Sequence, residues 1–309
     1  MRRAGVVLLF LILSIAASVE AETIYAIVQE SNPNALTVSG NEALISFDSA
    51  APGSALSSVH LGNHGGSVVG MDFRPATGQL YLLTEAFEPT VVLRLFLVDP
   101  NTGALSQVGV DLEQGDELDP ATIEAGFDFD PVRDLAEVTV GGAVLTIDPT
   151  TGEDSHGAFF SPSSPRVVGV AFDRNFAGAG ATTLFGLELS RAQLVRIGGV
   201  NGSPSPDGGA VTDIGFLGLA PNEAAFDISS SGTAYAVFPS PFNEGLYTVD
   251  LTSGSATLLG IIGTGQPVSA MTVAPGAGPP VAVPSLAAWG QWVLVAALAL
   301  AALRVLSRA

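Results

Sequence analysis

The turn Asp99-Pro100-Asn101-Thr102-Gly103 recurs along the chain as Asp148-Pro149-Thr150-Thr151-Gly152 and as Asp250-Leu251-Thr252-Ser253-Gly254. A looser version runs from Asp48 to Gly53. The aspartates that open these turns lie 51, 49 and 102 residues apart, and 102 is two steps of 51. Periods of about 40 to 50 residues built from short strands are typical of propeller blades, which cannot bury their apolar faces without neighbours. The repeat therefore predicts a β-propeller.

A second repeated segment lies in register with the turns. In each of its five copies, apolar residues alternate with small or polar ones, as in a strand that packs mainly on one face. The Gly and Ala content suits the crowded inner strand of a blade. The copies are Val69–Phe73, Ala125–Phe129, Val168–Phe172, Ala224–Ile228 and Ser269–Val273.

The strands at the two ends of the domain predict how the ring closes. The last copy of the repeated segment has no strands after it, and three predicted strands near the amino end have no inner strand before them. Those three are Thr23–Val28, Ala43–Phe47 and Leu56–Leu61. We expect both ends to share one blade, which makes an all-β five-bladed propeller with four-stranded blades and no open sheet edge. Six blades would require strands within the insert Gly198–Gly209.

The turn aspartates are interpreted as structural residues rather than catalytic acids. Asp at the first turn position bonds nearby backbone, Pro presets the next residue, and Gly relieves strain at the exit. No nucleophile elbow or zinc-protease helix motif occurs in the sequence.

Composition limits the function classes. The chain has no cysteine, and its eleven basic residues are all arginines, so disulfides and a lysine-containing phosphate loop are excluded. The formal net charge is −19, which makes nucleic acid a poor partner and attracts cations instead. Stability must come from an apolar core, for which a body of about 250 residues is large enough.

The amino end has the features of a secretory signal peptide. Arg2 and Arg3 precede an apolar run from Val6 to Ala17, and small residues precede Glu22. We expect a signal helix over residues 1–21 with cleavage after Ala21, although a retained anchor is the alternative. The exported propeller domain would then cover residues 22–274.

The carboxyl end predicts a membrane-spanning helix. A Pro/Gly linker over residues 275–282 precedes a terminal segment, 283–309, in which Leu286 to Leu303 carries no charge. Eighteen apolar residues are about the minimum for a spanning helix. Because Arg304 and Arg308 follow the helix, we expect it to be membrane-anchored with its C-terminus in the cytoplasm.

This terminal segment resembles the bacterial IPTL-CTERM sorting signal. Pro284, Leu286, Trp289 and Gly290 match that pattern, with the basic tail at Arg304 and Arg308. Val283, Ser285 and Ala287 replace its Ile, Thr and Ser. The resemblance implies an exosortase-type sorting protease as partner, removal of the helix, and transfer to the cell surface. A plain membrane anchor is the alternative.

The body resembles a secreted bacterial family catalogued as domain of unknown function 4394. The matching stretches are Gly70–Tyr81, Gly126–Pro131 and Gly245–Asp250, and the resemblance covers most of residues 60 to 275. After Asp130-Pro131 the family usually continues with a basic strand, whereas this chain has Asp134-Leu135-Ala136-Glu137 and a shorter hairpin. The resemblance supports the fold and the export and implies no activity.

The densest acidic cluster is a candidate calcium site. Oxygen ligands at alternating positions suit calcium, although their order does not match the twelve-residue calcium loop, and an ordinary solvated acidic loop is the simpler interpretation. The cluster lies between two predicted blades and contains Asp111, Glu113, Asp116, Glu117 and Asp119. Calcium is the one cofactor that the sequence offers.

The histidines carry little indication of chemistry. His60 and His64 are four residues apart, but at a strand end this spacing does not give them a common face. His156 lies beside Glu153 and Asp154, as expected of a solvated strand residue.

The sequence therefore predicts a non-enzymatic binding or structural module that holds an extracellular protein or glycan at one mouth of its channel. The alternative is a hydrolase or lyase that depends on a divalent ion in the channel. Convergence of three or more of four side chains at one channel mouth would favour the enzyme. These are Asp72, Asp128, Asp227 and His64.

Overall fold

The computed structural model describes residues 21–29, 41–87, 90–114, 125–162, 165–239, 244–263 and 265–276. These residues form five antiparallel four-stranded sheets.

Blade 1 contains β20 (Val268–Val273), β1 (Thr23–Gln29), β2 (Glu42–Asp48) and β3 (Ala55–His60). Blade 2 contains β4 (Ser67–Arg74), β5 (Gln79–Phe87), β6 (Val91–Val98) and β7 (Leu105–Glu113). Blade 3 contains β8 (Ala125–Asp130), β9 (Leu135–Val140), β10 (Ala143–Ile147) and β11 (Asp154–Phe159). Blade 4 contains β12 (Val167–Phe172), β13 (Leu184–Glu188), β14 (Gln193–Ile197) and β15 (Val211–Phe216). Blade 5 contains β16 (Ala225–Ile228), β17 (Ala234–Pro239), β18 (Glu244–Val249) and β19 (Ala256–Ile261).

The shared blade closes the ring as predicted. Strand β20 pairs with β1, with Val273 opposite Ile24 and Ala270 opposite Ile27. The inner strands β4, β8, β12, β16 and β20 contact one another in cyclic order, with β20 against β4. The described residues therefore form a closed five-bladed propeller.

The insert between β14 and β15 adds no sixth blade. Residues 198–209 contain two short 3₁₀ turns, Val200–Gly202 and Pro206–Gly208, and no strand. Gly209 packs against the outer strand of blade 3, where a Cβ would overlap the carbonyl of Phe159. The insert therefore closes the contact between blades 3 and 4 at the perimeter.

Apolar side chains from facing sheets bury one another between the blades. One cluster joins Tyr81 and Leu83 of blade 2 to Phe127 and Phe129 of blade 3. Another joins Phe185 of blade 4 to residues of blade 5, and a third joins blade 5 to blade 1. Because both faces of every sheet are covered, apolar burial depends on the complete ring.

The turn aspartates form turns, as predicted. The backbone N–H two residues further on donates to the carboxylate of Asp99 at 2.9 Å and to those of Asp148 and Asp250 at 2.7 Å. Hydrogen bonds lower the pKa of all three aspartates. The final Gly254 has a φ of +80°, and a Cβ there would overlap the carbonyl of Gly215 in the preceding blade. Each such turn thus also joins two blades.

The predicted signal peptide and sorting signal lie almost entirely outside the described residues. The chain divides into two units, residues 1–276 and 277–309, and the second unit is not described. Within the part that is described, no helix is long and apolar enough to cross a membrane. Ala21, at the expected cleavage site, immediately precedes Glu22, whose backbone carbonyl accepts a bond from Ser49. Export, cleavage and anchoring remain predictions.

Candidate functional site

The inner strands bring together a group that we call the carboxylate ring, which comprises Asp72, Asp128, Asp227 and Thr272. These residues occupy equivalent positions in blades 2, 3, 5 and 1, and blade 4 has Ala171 there. Each of the four is at most 2% exposed. Three of the four side chains whose convergence at a channel mouth would favour the enzyme thus come together, but they are buried within the channel rather than placed at an open mouth.

Each ring aspartate joins its own blade to the next one. Its carboxylate accepts a hydrogen bond from the backbone N–H that follows the equivalent position in the neighbouring inner strand. The pairs are Phe129 N to Asp72 at 3.0 Å, Phe172 N to Asp128 at 3.1 Å, and Val273 N to Asp227 at 2.6 Å. Buried N–H groups need such partners, so the ring helps to hold the blades together.

Two blades lack an aspartate at this position, and the neighbouring blade compensates. Where Ala171 offers no acceptor, the N–H of Ile228 donates to the adjacent Asp227 at 2.5 Å. Where blade 1 offers Thr272, the N–H of Phe73 donates to the adjacent Asp72 at 2.7 Å. All five equivalent N–H groups are thus satisfied, which marks the ring as a structural feature.

The ring also retains protons. The hydroxyl of Thr272 lies 2.9 Å from an oxygen of Asp72 and 3.0 Å from an oxygen of Asp227. One hydroxyl proton serves only one of these contacts, so the other needs a protonated carboxyl. Burial, followed by the charge of Asp227, raises the pKa of Asp72 to about 8. Burial likewise raises the pKa of Asp128 and of Asp227.

His64 lies apart from the ring. Its Nε2 is 3.1 Å from a carboxylate oxygen of Glu42, and the histidine is 1% exposed. His60 is an exposed residue at the end of β3, so the two histidines do not form a metal pair. His156 has a side chain that is 62% exposed and pairs with Asp154, as expected of a solvated residue.

One mouth of the channel opens into a cavity of about 390 Å³ that we call the mouth pocket. It lies where the inner strands begin, and a narrow neck lined by Gly70, Gly126 and Gly169 separates it from the carboxylate ring. All five blades contribute to its lining. Its polar and charged residues are Glu85, Arg166, Asn222, Glu223, Glu244 and Ser269.

The mouth pocket is acidic and incompletely neutralised. Burial raises the pKa of Glu85 to about 7, and its Oε2 has no hydrogen-bond partner among the described residues. Burial and the nearby Glu223 charge raise the pKa of Glu244. Three carboxyl groups therefore share the pocket with one guanidinium, that of Arg166. The pocket can hold a cationic group, because a cation would stabilise the ionised carboxylates.

Sequence patterns did not indicate these pocket residues. Glu85 and Glu244 lie at strand ends, and Asn222 and Glu223 lie in a connection that no other blade repeats. The feature that could have identified these pocket residues is their position beside the starts of the repeated inner strands. That feature becomes useful only after the strand register is known.

The predicted calcium residues are only partly described. Asp111 accepts hydrogen bonds from Arg94, at 2.8 Å and 3.0 Å, and from Gln107. Glu113 is the exposed last residue of β7. Asp116, Glu117 and Asp119 lie outside the described residues. Among the described residues, no group of three or more histidine or acidic side chains is arranged to hold a metal ion.

The chain belongs to the family described as domain of unknown function DUF4394, whose model matches residues 43–272. This match confirms the resemblance found in the sequence. No curated protein matches the chain.

Several solved structures are similar to the chain at low sequence identity. TolB from Acinetobacter baumannii is 14% identical with a TM-score of 0.46, over 82% of this chain and 67% of that one. A putative 6-phosphogluconolactonase from Bacteroides uniformis is 13% identical with a TM-score of 0.43, over 84% of each chain. A protein from Lactobacillus plantarum is also 13% identical with a TM-score of 0.43, over 82% of this chain and 99% of that one. These values are too low to carry an argument about function.

Proposed function

We propose that the protein is an exported binding module whose mouth pocket takes an ammonium group presented by an extracellular protein or glycan. The observation that carries this proposal is the cavity of about 390 Å³ lined by three glutamates and one arginine. A primary ammonium offers three donors and one positive charge, which suits carboxylates that are partly buried. The carboxylate ring is excluded as the binding surface because it is buried and already bonded within the protein.

The test is a calorimetric titration of the full chain with a blocked Gly-Lys-Gly peptide at pH 8. The same peptide with an acetylated lysine is the neutral control. Since burial raises the pKa of Glu85 to about 7, this carboxyl is mostly ionised at pH 8, and we expect the free amine to bind at least about tenfold more tightly. Equal binding of the two peptides would refute the proposal. Absence of binding by both the lysine peptide and a chitosan dimer would also refute it.

A second probe separates the two sources of the ammonium group. Chitosan dimer, with chitin dimer as its acetylated control, presents the same chemistry on a glycan, and for this comparison the lysine peptide and the chitosan dimer are both titrated at pH 6.5, where the glucosamine amine is partly protonated. Preference for the lysine peptide favours a protein partner, and preference for chitosan favours a glycan.

Matched variants test whether binding occurs in the mouth pocket. We expect Glu85→Gln and Glu244→Gln each to lose most of the preference for the amine. Glu153→Gln removes the same charge from the exposed turn between β10 and β11, away from the pocket, and should bind like the parent chain. If Glu153→Gln weakens binding as much as the pocket variants, the affinity comes from the net charge instead.

The location of the protein is part of the proposal. The sequence features at the two ends support export, cleavage after Ala21 and sorting through the terminal segment 283–309. Mass spectrometry of the surface-exposed protein should find Glu22 as the first residue. Loss of the exosortase-type protease should leave the full carboxyl end in the membrane fraction. A cytoplasmic protein that retains Met1 would contradict both expectations.

The divalent-ion hydrolase or lyase remains the alternative, tested by metal addition and removal. If 5 mM EDTA leaves the binding of the lysine peptide and the melting temperature unchanged, neither depends on a bound calcium ion.

A further inference from the structure

The second strands of the blades form a column in which one blade differs from the other four. The residue opposite the ring position is Tyr25, Tyr81, Phe185 or Tyr235 in blades 1, 2, 4 and 5, and Glu137 in blade 3. Two residues further on, the same four blades have Ile27, Leu83, Leu187 or Val237, and blade 3 has Thr139. Blade 3 therefore replaces an aromatic and an aliphatic side chain with two polar ones.

Both polar side chains point into the interface between blades 3 and 4. Glu137 pairs with Asp128 and Thr139 pairs with Gly126, and paired residues share one face of a sheet. That face meets β12, since Asp128 bonds Phe172 N and a Cβ on Gly126 would lie 2.8 Å from the backbone N of Val170. The corresponding interface between blades 2 and 3 is closed by Tyr81 and Leu83.

The interface contains polar atoms without partners among the described residues. Glu137 is 0% and Thr139 is 1% exposed, and neither Glu137 Oε1 nor Thr139 Oγ1 has a hydrogen bond. Asp128 Oδ1 on the same face receives no N–H or hydroxyl donor, although its carboxyl contacts Asp72. Unsatisfied groups this deeply buried are rare because they lose their hydration without replacement.

We propose that a bound-water site lies between blades 3 and 4, formed by Glu137 Oε1 and Thr139 Oγ1 with Asp128 Oδ1 beside them. Buried waters make two to four hydrogen bonds, which matches the atoms that this face offers.

A metal ion fits this site less well than water. Calcium takes six to eight oxygen ligands, whereas the face offers about three. Glu137 Oε2 is already paired with Arg133, which also bonds Asp130 and Asp207. The positive charge that Glu137 requires is thus supplied by the protein itself.

The direct test is a high-resolution crystal structure of the protein together with ¹⁷O magnetic relaxation dispersion, which counts long-lived internal waters in solution. We expect density within hydrogen-bond distance of both Glu137 Oε1 and Thr139 Oγ1, at about 2.7–3.2 Å. Direct packing of the two side chains without water, or an ion with short coordination distances, would overturn the proposal.

The double variant Glu137→Tyr/Thr139→Leu gives blade 3 the pattern of its neighbours. We expect it to lose long-lived water from the dispersion signal and to remain folded, since Arg133 is partly exposed and keeps its ion pairs with Asp130 and Asp207. An unchanged water count in a folded variant would contradict the proposal.

The reverse variant Tyr81→Glu/Leu83→Thr is the matched control in blade 2. It places the same polar pair in the apolar cluster between blades 2 and 3, where the guanidinium beside Tyr81, that of Arg74, is already paired with Asp134, so we expect it to lower the melting temperature. The wild-type crystal structure decides the question even if this variant fails to fold.

Discussion

The carboxylate ring and the mouth pocket are both acidic and both lie on the channel, yet the surrounding structure gives them different roles. Each ring aspartate bonds a backbone N–H of its own or the next blade, and all are buried. In the mouth pocket, Glu85 has an oxygen that no described residue bonds, and Glu244 is close to another glutamate. The difference teaches that solvent access to incompletely bonded carboxylates, rather than the density of carboxylates, distinguishes a candidate binding site from a structural element.

The largest effect that would test this comparison is expected from Asp227→Ala. The variant removes the acceptor of two backbone N–H groups and the partner of Thr272, so we expect a loss of about 3 kcal/mol in the free energy of unfolding. Chemical denaturation measures it, and Asp227→Asn, which keeps an acceptor oxygen, should lose less than half as much. A change below about 1 kcal/mol for the alanine variant would show that the ring is not structural.

The pH dependence of stability should follow the ring rather than the pocket. The folded-state pKa values of Asp72, Asp128 and Asp227 lie above their unfolded values. Their contribution is therefore fully present below about pH 4 and is lost as the pH rises through the folded values. We expect the free energy of unfolding to fall by several kcal/mol between pH 5 and 9, and by less in Asp72→Asn. Stability that rises with pH over this range would contradict the assignment.

The glycine contacts between blades at the perimeter provide a reference for the acidic sites, because no acidic side chain takes part in them. Gly254 and Gly178 both have a φ of +80°, but a Cβ on Gly254 would overlap Gly215 in the preceding blade, whereas one on Gly178 meets nothing within 4 Å. Both alanine variants carry the same kind of backbone strain, so their difference isolates the contact between blades. We expect Gly254→Ala to be less stable than Gly178→Ala by about 1–2 kcal/mol in chemical denaturation. Equal losses would show that the turn does not join the blades.

The smallest effect is expected in the mouth pocket and has the opposite sign. Burial raises the pKa of Glu85 to about 7, so its ionised form is disfavoured in the folded state at pH 8. Glu85→Gln should then increase the free energy of unfolding at pH 8 by about 0.5–1 kcal/mol, allowing for partial solvent screening. Below about pH 4, where the carboxyl is protonated in both the folded and the unfolded state, the two proteins should be equally stable. Destabilisation at pH 8 would indicate that Glu85 is a structural residue.

The repeat predicted more of the fold than of the site. The spacing of the Asp turns and the orphan strands at the two ends gave the blade count and the closing blade, because both follow from local alternation and turn chemistry. Asp72, Asp128 and Asp227 were identified because they recur at one position of the repeat. Their role was not predicted, since the bonds that occupy them come from the next blade.

The residues that lie outside the repeated segments were not predicted as site residues, and the reason is physical. Glu85 of blade 2, Glu244 of blade 5 and Glu223 of the connection before blade 5 come together only when the blades are placed around the channel. The polar pair Glu137 and Thr139 lies where the sequence departs from the family pattern after Asp130-Pro131. That departure was visible, but the interface into which the side chains point depends on sheet register.

The closing blade also determines how late in synthesis the first sheet can be completed. Strand β1 ends at Gln29 and its partner β20 begins at Val268, so about 240 residues separate them. At a ribosomal rate of about 5–20 residues per second, β1 waits on the order of ten to fifty seconds for that partner. A chain that stops before Val273 cannot complete the first sheet. One edge of β1 then lacks its full partner strand, and the truncated product stays open to proteolysis. Closure of the ring therefore requires that the whole domain has been synthesised.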